Sequence, residues 1–346
     1  MRFLKENGNI RDNEYKFLQP TRNLEENGKL PKTRAFGKEI TNLFAVLKGN
    51  YFKDDSINAQ VSVKLKEFYD NYKEKALLHL NEIDKLNLGK LYDCSEYANE
   101  IYNYLKDREA PFLIKFGSFL KIQTEVHEKM RECLIDWLVE IHRKFKLLPE
   151  TLYMTVSLID RVFAKEKIQK SKLQCLGLAS LFIAGKYEEI YPPDLRDYVN
   201  VANYQVGKDE ILKMERQILK ILEFDLSCPS IYIFLQRYSR LLKTDETQFS
   251  LAEYLSESQF LDTRMFKYPP SLIAASCLYL SSKILNKDCW NSLIEEQSKY
   301  SESEVKSCAG LISKIPNIVE NQGFLNIKTK FMSTKYKEVG RMKIEI

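Results

Sequence analysis

The sequence predicts an all-α fold. Apolar residues recur at helical spacing almost throughout the chain, and a sustained strand-like alternation of apolar and polar residues is missing. Only 12 Gly and 10 Pro occur among the 346 residues, so few positions favour turns. Hydrophobic residues make up 44% and charged residues 29%, which is typical of a globular protein. The length predicts two domains of ordinary size and one additional segment.

The additional segment is the N-terminal arm, residues 1–90. It begins rich in Asn, Gly, Lys and Glu, and it continues as a charged stretch of helical pattern from Val61 to Leu88. Such a composition buries too little apolar surface to offset the conformational entropy that is lost on folding. We therefore expect a flexible, largely disordered arm that contains one marginal helix.

A helical bundle is predicted for residues 91–226. This range begins with a separate helix within Ser95–Ala110, which comes before the bundle itself. Its one apolar face is made of Tyr97, Ile101, Tyr104 and Leu105. Further helices are predicted at Met130–Phe145, from Pro149 through Phe163, at Lys172–Ile190, and from Gly207 through Leu222. Proline is favourable at the first turn of a helix and disruptive further on, so Pro149 opens one helix and Pro192 stops the next.

The same pattern restarts after Pro229 and predicts a second bundle in residues 227–346. Its helices are expected near Ile231–Leu242, Phe249–Leu261, Ser271–Leu285 and Glu302–Ile315. An internal echo supports duplication, because IAGK at 183–186 and LSSK at 280–283 both end apolar helices that contain small residues. The chain is thus expected to hold two tandem bundles of about five helices each.

The helix at Met130–Phe145 is apolar over an arc of roughly 240°, whereas a surface helix needs only about 100°. Arg131 falls inside this arc. A charge within an apolar face must be paired or is very costly. The helix is therefore either central to a bundle with Arg131 ion-paired, or partly exposed as a docking surface; both conditions are compatible.

Composition excludes several classes of protein. The seven cysteines are scattered and form no CxxC pair, which argues against a zinc or redox site and favours a reducing compartment. No apolar run approaches the roughly 18 residues of a membrane span, and the charged start MRFLKEN lacks a signal-peptide core. The net charge of +5 is too diffuse to indicate a nucleic-acid-binding stripe. We expect the nucleus and cytoplasm, no membrane association and no nucleic-acid partner.

Five segments resemble a cyclin in their order and spacing. They are MRECLIDWLVEIH, ETLYMTVSLIDRVF, KLQCLGLASLFIAGKYEEIYPP, ILKMERQILKILEFDL and KYPPSLIAASCLYLSS. The match spans about residues 95–335 and is most similar to mitotic B-type or A-type cyclins. The resemblance implies two tandem five-helix cyclin boxes that bind and activate a cyclin-dependent kinase as a heterodimer, and it implies no cofactor and no metal.

The chain itself is not expected to be an enzyme. It has no glycine-rich phosphate loop and no nucleophile elbow. Its only histidines are His79, His127 and His142. No catalytic constellation can be assembled from these residues.

The resemblance implies a kinase-binding surface. Lys186 and Glu215 match the family's charged residues that contact the regulatory helix of the kinase. Tyr187, Leu219 and Phe224 match its apolar contacts. Losing one partner of a charged pair at a desolvated interface costs about 2–5 kcal/mol. Taken without the resemblance, the two charges would be interpreted as ordinary surface residues.

The resemblance also implies a shallow substrate-docking patch for Arg-x-Leu-type substrates or inhibitors. Its matching residues are Met130, Cys133, Leu134, Trp137, Glu140 and Gln174, with an apolar floor for the Leu and a carboxylate for the Arg. Glu132 and Cys133 replace the Ala and Ile of the usual MRAIL, so docking strength and motif preference are open. A fully buried Trp137 is the alternative. Arg131 and Asp160 match an internal ion pair with a structural role.

Two short motifs in the arm resemble degradation signals that the anaphase-promoting complex recognises. Lys5, Glu6 and Asn7 form a KEN sequence. Arg34, Ile40 and Asn42 match a destruction box, although Gly37 occupies the usual Leu position. In a mitotic-type cyclin these signals imply ubiquitin-dependent destruction and a role in the G2/M transition.

Two alternatives remain open at this point. A transcription-initiation-type protein also carries tandem cyclin folds, but it would need a concentrated basic face, which would give a salt-dependent affinity for DNA. A scaffold of cyclin architecture would bind a partner without activating it. A kinase assay separates the scaffold from an activating cyclin.

Overall fold

A computed structural model describes residues 80–87, 94–114, 117, 121–287 and 290–344. These residues belong to one compact unit that begins at Leu80. Across the described ranges the regular structure is helical, with no β-strand. The all-α prediction is confirmed.

The first bundle consists of five helices, preceded by two further helices. The preceding helices are α1 (Glu82–Leu86) and α2 (Ala98–Glu109). The bundle comprises α3 (Glu128–Phe145), α4 (Pro149–Phe163), α5 (Leu173–Glu188), α6 (Leu195–Val201) and α7 (Lys208–Ile221). Helix α5 is central, with α3, α4, α6 and α7 packed around it. Its approach to α3 is close at Gly177, where a Cβ atom would lie 2.8 Å from Leu134 Cδ1.

The second bundle repeats this arrangement. It comprises α8 (Ile231–Leu242), α9 (Glu246–Ser258), α10 (Pro270–Ile284), α11 (Ser292–Ser298) and α12 (Glu302–Ile312), and it is followed by α13 (Ile315–Asn321) and α14 (Asn326–Phe331). Helix α10 is central and packs against α8, α9, α11 and α12. The two echoed tetrapeptides lie near the ends of α5 and α10, the third helix of each bundle.

The bundles share a hydrophobic core. One buried cluster joins Ile135 and Val139 of α3 and Tyr153 of α4 to the interior of the second bundle. The Tyr153 ring lies 4.9 Å from the ring of Phe260, centroid to centroid, in an edge-on arrangement. Helix α14, near the end of the chain, returns to pack on α3 as well as on α9.

Four short helices were not predicted from sequence: α6, α11, α13 and α14. Each has at most seven residues, about two turns, which is too short for helical periodicity to be evident. The start of α6 nevertheless has a local signal, because the Asp194 N–H donates to the carboxylate of Asp197 at 3.0 Å. Two acidic residues at this spacing form a capping pair.

Residues 80–87, assigned to the arm from sequence, are part of the compact unit. Ile83 and Asp84 of α1 are buried. The guanidinium of Arg237 on α8 donates to both carboxylate oxygens of Asp84, at 2.5 and 2.6 Å. A pair separated by 153 positions has no sequence signal, which is why composition placed this segment with the arm. The rest of the arm lies outside the described residues.

Candidate functional site

Lys186 and Glu215 form an ion pair between α5 and α7. Glu215 is buried, whereas Lys186 is exposed and its Nζ lies 4.1 Å from the centre of the Phe182 ring. The two helices are adjacent in the first bundle, so residues 29 positions apart meet at one surface. The pair therefore lies at the edge of the first bundle, where Lys186 is exposed to solvent and Glu215 is largely covered.

Large apolar side chains are exposed beside this ion pair. Tyr187, the residue after Lys186, is 54% exposed, and Phe224, just beyond the end of α7, is 72% exposed. Leu219 is half-buried and packs against the core of the first bundle. Exposed aromatic residues grouped around a charged pair are typical of a protein interface.

The position of Phe224 is set by the linker between the bundles. Glu223 and Phe224 both adopt left-handed backbone, with φ of 54° and 58°. Non-glycine residues rarely adopt this conformation, so the surroundings must hold it. The next residue, Asp225, accepts two hydrogen bonds from Arg108 of α2 at 2.7 Å, and its carbonyl accepts one from Arg161 of α4. Two arginines thus fix the turn that exposes Phe224.

Sequence reasoning missed several exposed apolar residues near this surface. Ile190 and Tyr191, immediately after α5, are 84% and 91% exposed. The apolar face predicted for the helix near 95–110 is also largely open, because Tyr97, Ile101 and Tyr104 are exposed while Leu105 is half-buried. Leu105 and Tyr187 line one cavity of about 260 Å³, so α2 borders the same surface. The sequence did contain a signal for them, because these two large apolar residues directly precede Pro192 and Pro193, which cannot continue the helix.

The charge of Arg131, which lies within the apolar arc of α3, is paired. Its guanidinium donates to both oxygens of Asp160, at 2.5 and 2.7 Å, and Nη1 donates to the Phe260 carbonyl at 2.7 Å. Burial raises the pKa of Asp160, and the adjacent guanidinium opposes that rise. All three groups are buried, so the pair joins α3, α4 and the second bundle.

The docking-patch candidates lie on the outer side of α3. Leu134 is buried, Met130 and Trp137 are half-buried, and Cys133 and Glu140 are exposed. Gln174 lies one turn before Gly177, where α5 approaches Leu134 most closely. Two half-buried apolar residues, Met130 and Trp137, thus share α3 with the exposed carboxylate of Glu140. Helix α3 therefore packs into the molecule on its inner side, where Arg131 is paired, and is partly exposed on its outer side.

Comparison with known proteins gives matches over both bundles. Residues 100–227 match the family "Cyclin, N-terminal domain", and residues 229–344 match "Cyclin, C-terminal domain". A G2/mitotic-specific cyclin-B of Hydra viridissima is 31% identical over 318 residues, covering 91% of this chain and 80% of that protein. The chain belongs to the cyclin family.

Further relatives place this cyclin in the B-type mitotic group. A G2/mitotic-specific cyclin-B of Spisula solidissima is 37% identical over 78% of this chain, and the match spans 62% of that relative's own length. A viral cyclin from herpesvirus saimiri has a similar solved structure, with a TM-score of 0.55, 25% identity, and coverage of 62% of this chain and 97% of that one. Cyclins are regulatory subunits of kinases and not enzymes, and this chain is one of them.

On α3, Glu132 and Cys133 depart from the usual cyclin motif, and these two residues have different positions. Glu132 follows Met130 by two residues, about 200° around the helix. Its charged neighbours are Lys129, 3.9 Å away, and Asp262 of the second bundle, and burial raises its pKa. Cys133 is exposed on the patch side and is a free thiol. Only Cys133 changes the surface that a docked segment would meet.

Lys5, Glu6, Asn7, Arg34, Ile40 and Asn42 lie outside the described residues. In the described part of the cyclin, no group of His, Cys, Asp and Glu could hold a metal ion. None of the described helices combines the length and apolar character needed to cross a membrane.

Proposed function

We propose that this chain binds a cyclin-dependent Ser/Thr protein kinase and activates it. The observation that carries the proposal is the Lys186–Glu215 pair bordered by exposed Tyr187, Phe224, Ile190 and Tyr191. Solvent-exposed apolar groups of this size are costly unless a partner covers them. The kinase is expected to cover them, with its regulatory helix beside the charged pair.

The energetics of such an interface should be concentrated in a few residues. Aromatic side chains supply large contact area and often dominate binding. Here the backbone that carries the aromatic residues is held in place, because internal hydrogen bonds fix the ends of α5 and α7 and the linker. A rigid surface loses little conformational entropy on binding.

The test is activation of an inactive monomeric cyclin-dependent kinase, read as phosphate transfer to a histone substrate. Lys186→Glu and Glu215→Lys should each reduce activation strongly. The double variant Lys186→Glu/Glu215→Lys restores an ion pair inside this chain but inverts both charges toward the kinase. It should regain the thermal stability of the unmodified chain and still fail to activate.

Two controls complete the assay. Lys213→Glu changes the same charge on an exposed position of α7 and should leave activation unchanged. Phe224→Ala should weaken kinase binding without lowering the melting temperature, because the side chain is exposed. Recovery of activation in the double variant would show that the pair serves the fold, and activation of no kinase by a folded chain would favour the scaffold alternative.

We further propose that the patch on α3 recruits Arg-x-Leu-type substrates or inhibitors. Half-buried Trp137 and Met130 would receive the Leu, and exposed Glu140 would receive the Arg. Isothermal titration with an Arg-x-Leu peptide, with the same peptide carrying Ala at both positions as control, tests this assignment. Equal binding of both peptides would contradict it.

We also propose that the chain controls the G2/M transition and acts in the nucleus and cytoplasm. Its destruction is expected to proceed through the anaphase-promoting complex. The support is the membership in the B-type mitotic group and the two arm motifs. Replacing Lys5, Glu6 and Asn7 by Ala should prolong the life of the protein after metaphase. A second variant, in which Arg34 and Ile40 are replaced together, shows which of the two motifs acts. Unchanged decay of both variants would refute destruction through these signals.

A further inference from the structure

A cavity of about 380 Å³ lies where the end of α3 meets the segment that follows α14. It shares no lining residue with the cavity that Leu105 and Tyr187 line. Its lining is basic and hydroxylic, with no carboxylate. The lining residues are His142, Arg143, Lys146, Leu147, Thr329, Lys330, Ser333, Lys335 and Tyr336.

Three of the cations in this cavity have no acidic partner. Among the described residues, Arg143, Lys146 and Lys335 take part in no ion pair. Lys330 is different, because it is buried and paired with Glu257 of α9. Burial and the neighbouring carboxylate of Glu257 both raise the pKa of the nearby Glu253 carboxyl, so Glu253 offsets less of the positive charge than an exposed glutamate would. The cavity therefore carries a positive excess.

A buried polar side chain also faces this region without complete pairing. His142 is 3% exposed, and its Nε2 donates to the Leu148 carbonyl at 2.8 Å. Its Nδ1 atom is buried and has no hydrogen-bond partner. The hydrogen bond at Nε2 leaves Nδ1 as an acceptor, so this atom would contact a bound phosphate dianion through a bridging water that donates to both.

Helix electrostatics explain only part of this arrangement. Cations near a helix C-terminus are favourable because they face the negative end of the helix dipole, and this accounts for Arg143 and Lys146 at the end of α3. It does not account for Lys335 and Tyr336, which come from a different segment and line the same cavity. Convergence of cations from two segments, nearly 200 residues apart, indicates a site for an anion.

We propose that this cavity binds a phosphorylated serine or threonine side chain of a partner protein. Arg143, Lys146 and Lys335 would donate charge-assisted hydrogen bonds to the phosphate, and the hydroxyls of Thr329 and Tyr336 would complete the set. Phosphate monoesters carry about two negative charges and three acceptor oxygens, which matches a cluster of unpaired cations. The volume falls within the range of ligand pockets, about 300–1,000 Å³, and exceeds what a bare ion needs.

The choice of phosphoserine or phosphothreonine rests on the proposed function, because a Ser/Thr kinase partner produces these groups. A substrate phosphorylated once would then be held by the activating subunit while further sites reach the kinase. An inositol phospholipid headgroup offers the same phosphate chemistry on a different surface, so the experiment separates the two sources.

The experiment measures binding of the full chain to a fluorescent pool of short peptides with a central phosphothreonine and random flanks. The same pool with threonine is the reference, and inorganic phosphate is the competitor. Lys146→Glu and Lys335→Glu should each weaken binding about tenfold or more, as expected for loss of a charge-assisted hydrogen bond. The matched control is Lys144→Glu, which makes the same charge change on α3 outside the cavity lining and should leave the affinity nearly unchanged.

The outcomes are distinct. Selective binding of the phosphorylated pool that only the cavity variants lose supports the site. Equal binding of both pools, or an equal loss in Lys144→Glu, shows diffuse attraction and overturns it. Binding confined to phosphatidylcholine vesicles that contain phosphatidylinositol bisphosphate overturns it in favour of a lipid surface. Activation of a kinase on an unphosphorylated peptide, measured with the same variants, reports the proposed function separately and should be unchanged.

Discussion

Arg131 shows how a single residue can join three parts of the molecule. It is 1% exposed, pairs with Asp160 on α4, and donates to the Phe260 carbonyl in the second bundle. Such buried charges contribute little net stability when paired, because desolvation offsets the attraction. Breaking the pair is different, since it leaves one charge buried without a partner.

We expect Arg131→Ala to lower the free energy of unfolding by about 3–5 kcal/mol, because Asp160 would remain buried and unpaired. Urea unfolding followed by circular dichroism measures the change. The double variant Arg131→Met/Asp160→Leu removes both charges and should recover much of the loss. A double variant no more stable than Arg131→Ala would mean that the hydrogen bond to Phe260, and not charge pairing, dominates.

His142 predicts a pH dependence of stability. Burial, with the charges of Lys330 and Lys335, lowers its pKa to about 3 from an ordinary value near 6.5. The unfolded chain therefore binds a proton at this residue between pH 6.5 and 3 that the folded chain does not. The contribution of neutral His142 to the free energy of unfolding is therefore complete above pH 6.5. It decreases as the pH is lowered, by at most about 1.4 kcal/mol per pH unit.

The measurement is the difference in unfolding free energy between the unmodified chain and His142→Gln from pH 8 to pH 4. Glutamine can still donate to the Leu148 carbonyl but does not titrate. The unmodified chain should therefore lose stability relative to the variant as the pH falls below 6.5. Parallel curves for the two proteins would show that His142 has the same pKa in the folded and the unfolded chain.

At the scale of an element, α3 has two different sides. Its inner side supplies Ile135, Leu138 and Val139 to the cores of the bundles, and its outer side leaves Met130 and Trp137 half-buried. From the width of the apolar arc, the sequence left two compatible interpretations open, a central helix with Arg131 paired and a partly exposed docking surface. It could not predict which side would be exposed, because that depends on where α5 and α14 pack.

We expect Trp137→Ala to cost an intermediate amount of stability, about 1–3 kcal/mol, because the ring is only half-buried while a fully buried Trp costs about 3–5 kcal/mol. Binding of an Arg-x-Leu peptide should be lost in the same variant. Leu138→Ala, at a fully buried position of the same helix, is the matched control and should cost more stability while the folded fraction keeps peptide binding. A loss at Trp137 as large as that at Leu138, with normal peptide binding, would refute the docking assignment.

At the scale of the whole molecule, the two bundles are not independent. Their shared cluster, the Arg131 hydrogen bond and the return of α14 onto α3 all cross between them. The Asn326 side chain at the start of α14 also donates to Asp136 on α3 at 2.8 Å. Domains joined by a large apolar contact tend to unfold together.

We therefore expect the described unit to give one calorimetric transition and not two. Leu181→Ala, in the core of the first bundle, should lower this single transition as a whole. Tyr153→Ala, at the contact between the bundles, should broaden or split it. Two well-separated transitions in the unmodified chain would show that the shared core contributes little coupling.

The sequence by itself determined the helical class, the order of the long helices and the duplication, because these follow from apolar periodicity and local start and stop signals. It also indicated that Arg131 needs a partner. Only the tertiary structure decided that Asp84 belongs to the compact unit through Arg237, that Ile190 and Tyr191 are exposed, and that Lys335 lines the same cavity as Lys146. These features depend on contacts between residues far apart in the chain, and no local pattern of amino acids encodes which distant segments will meet.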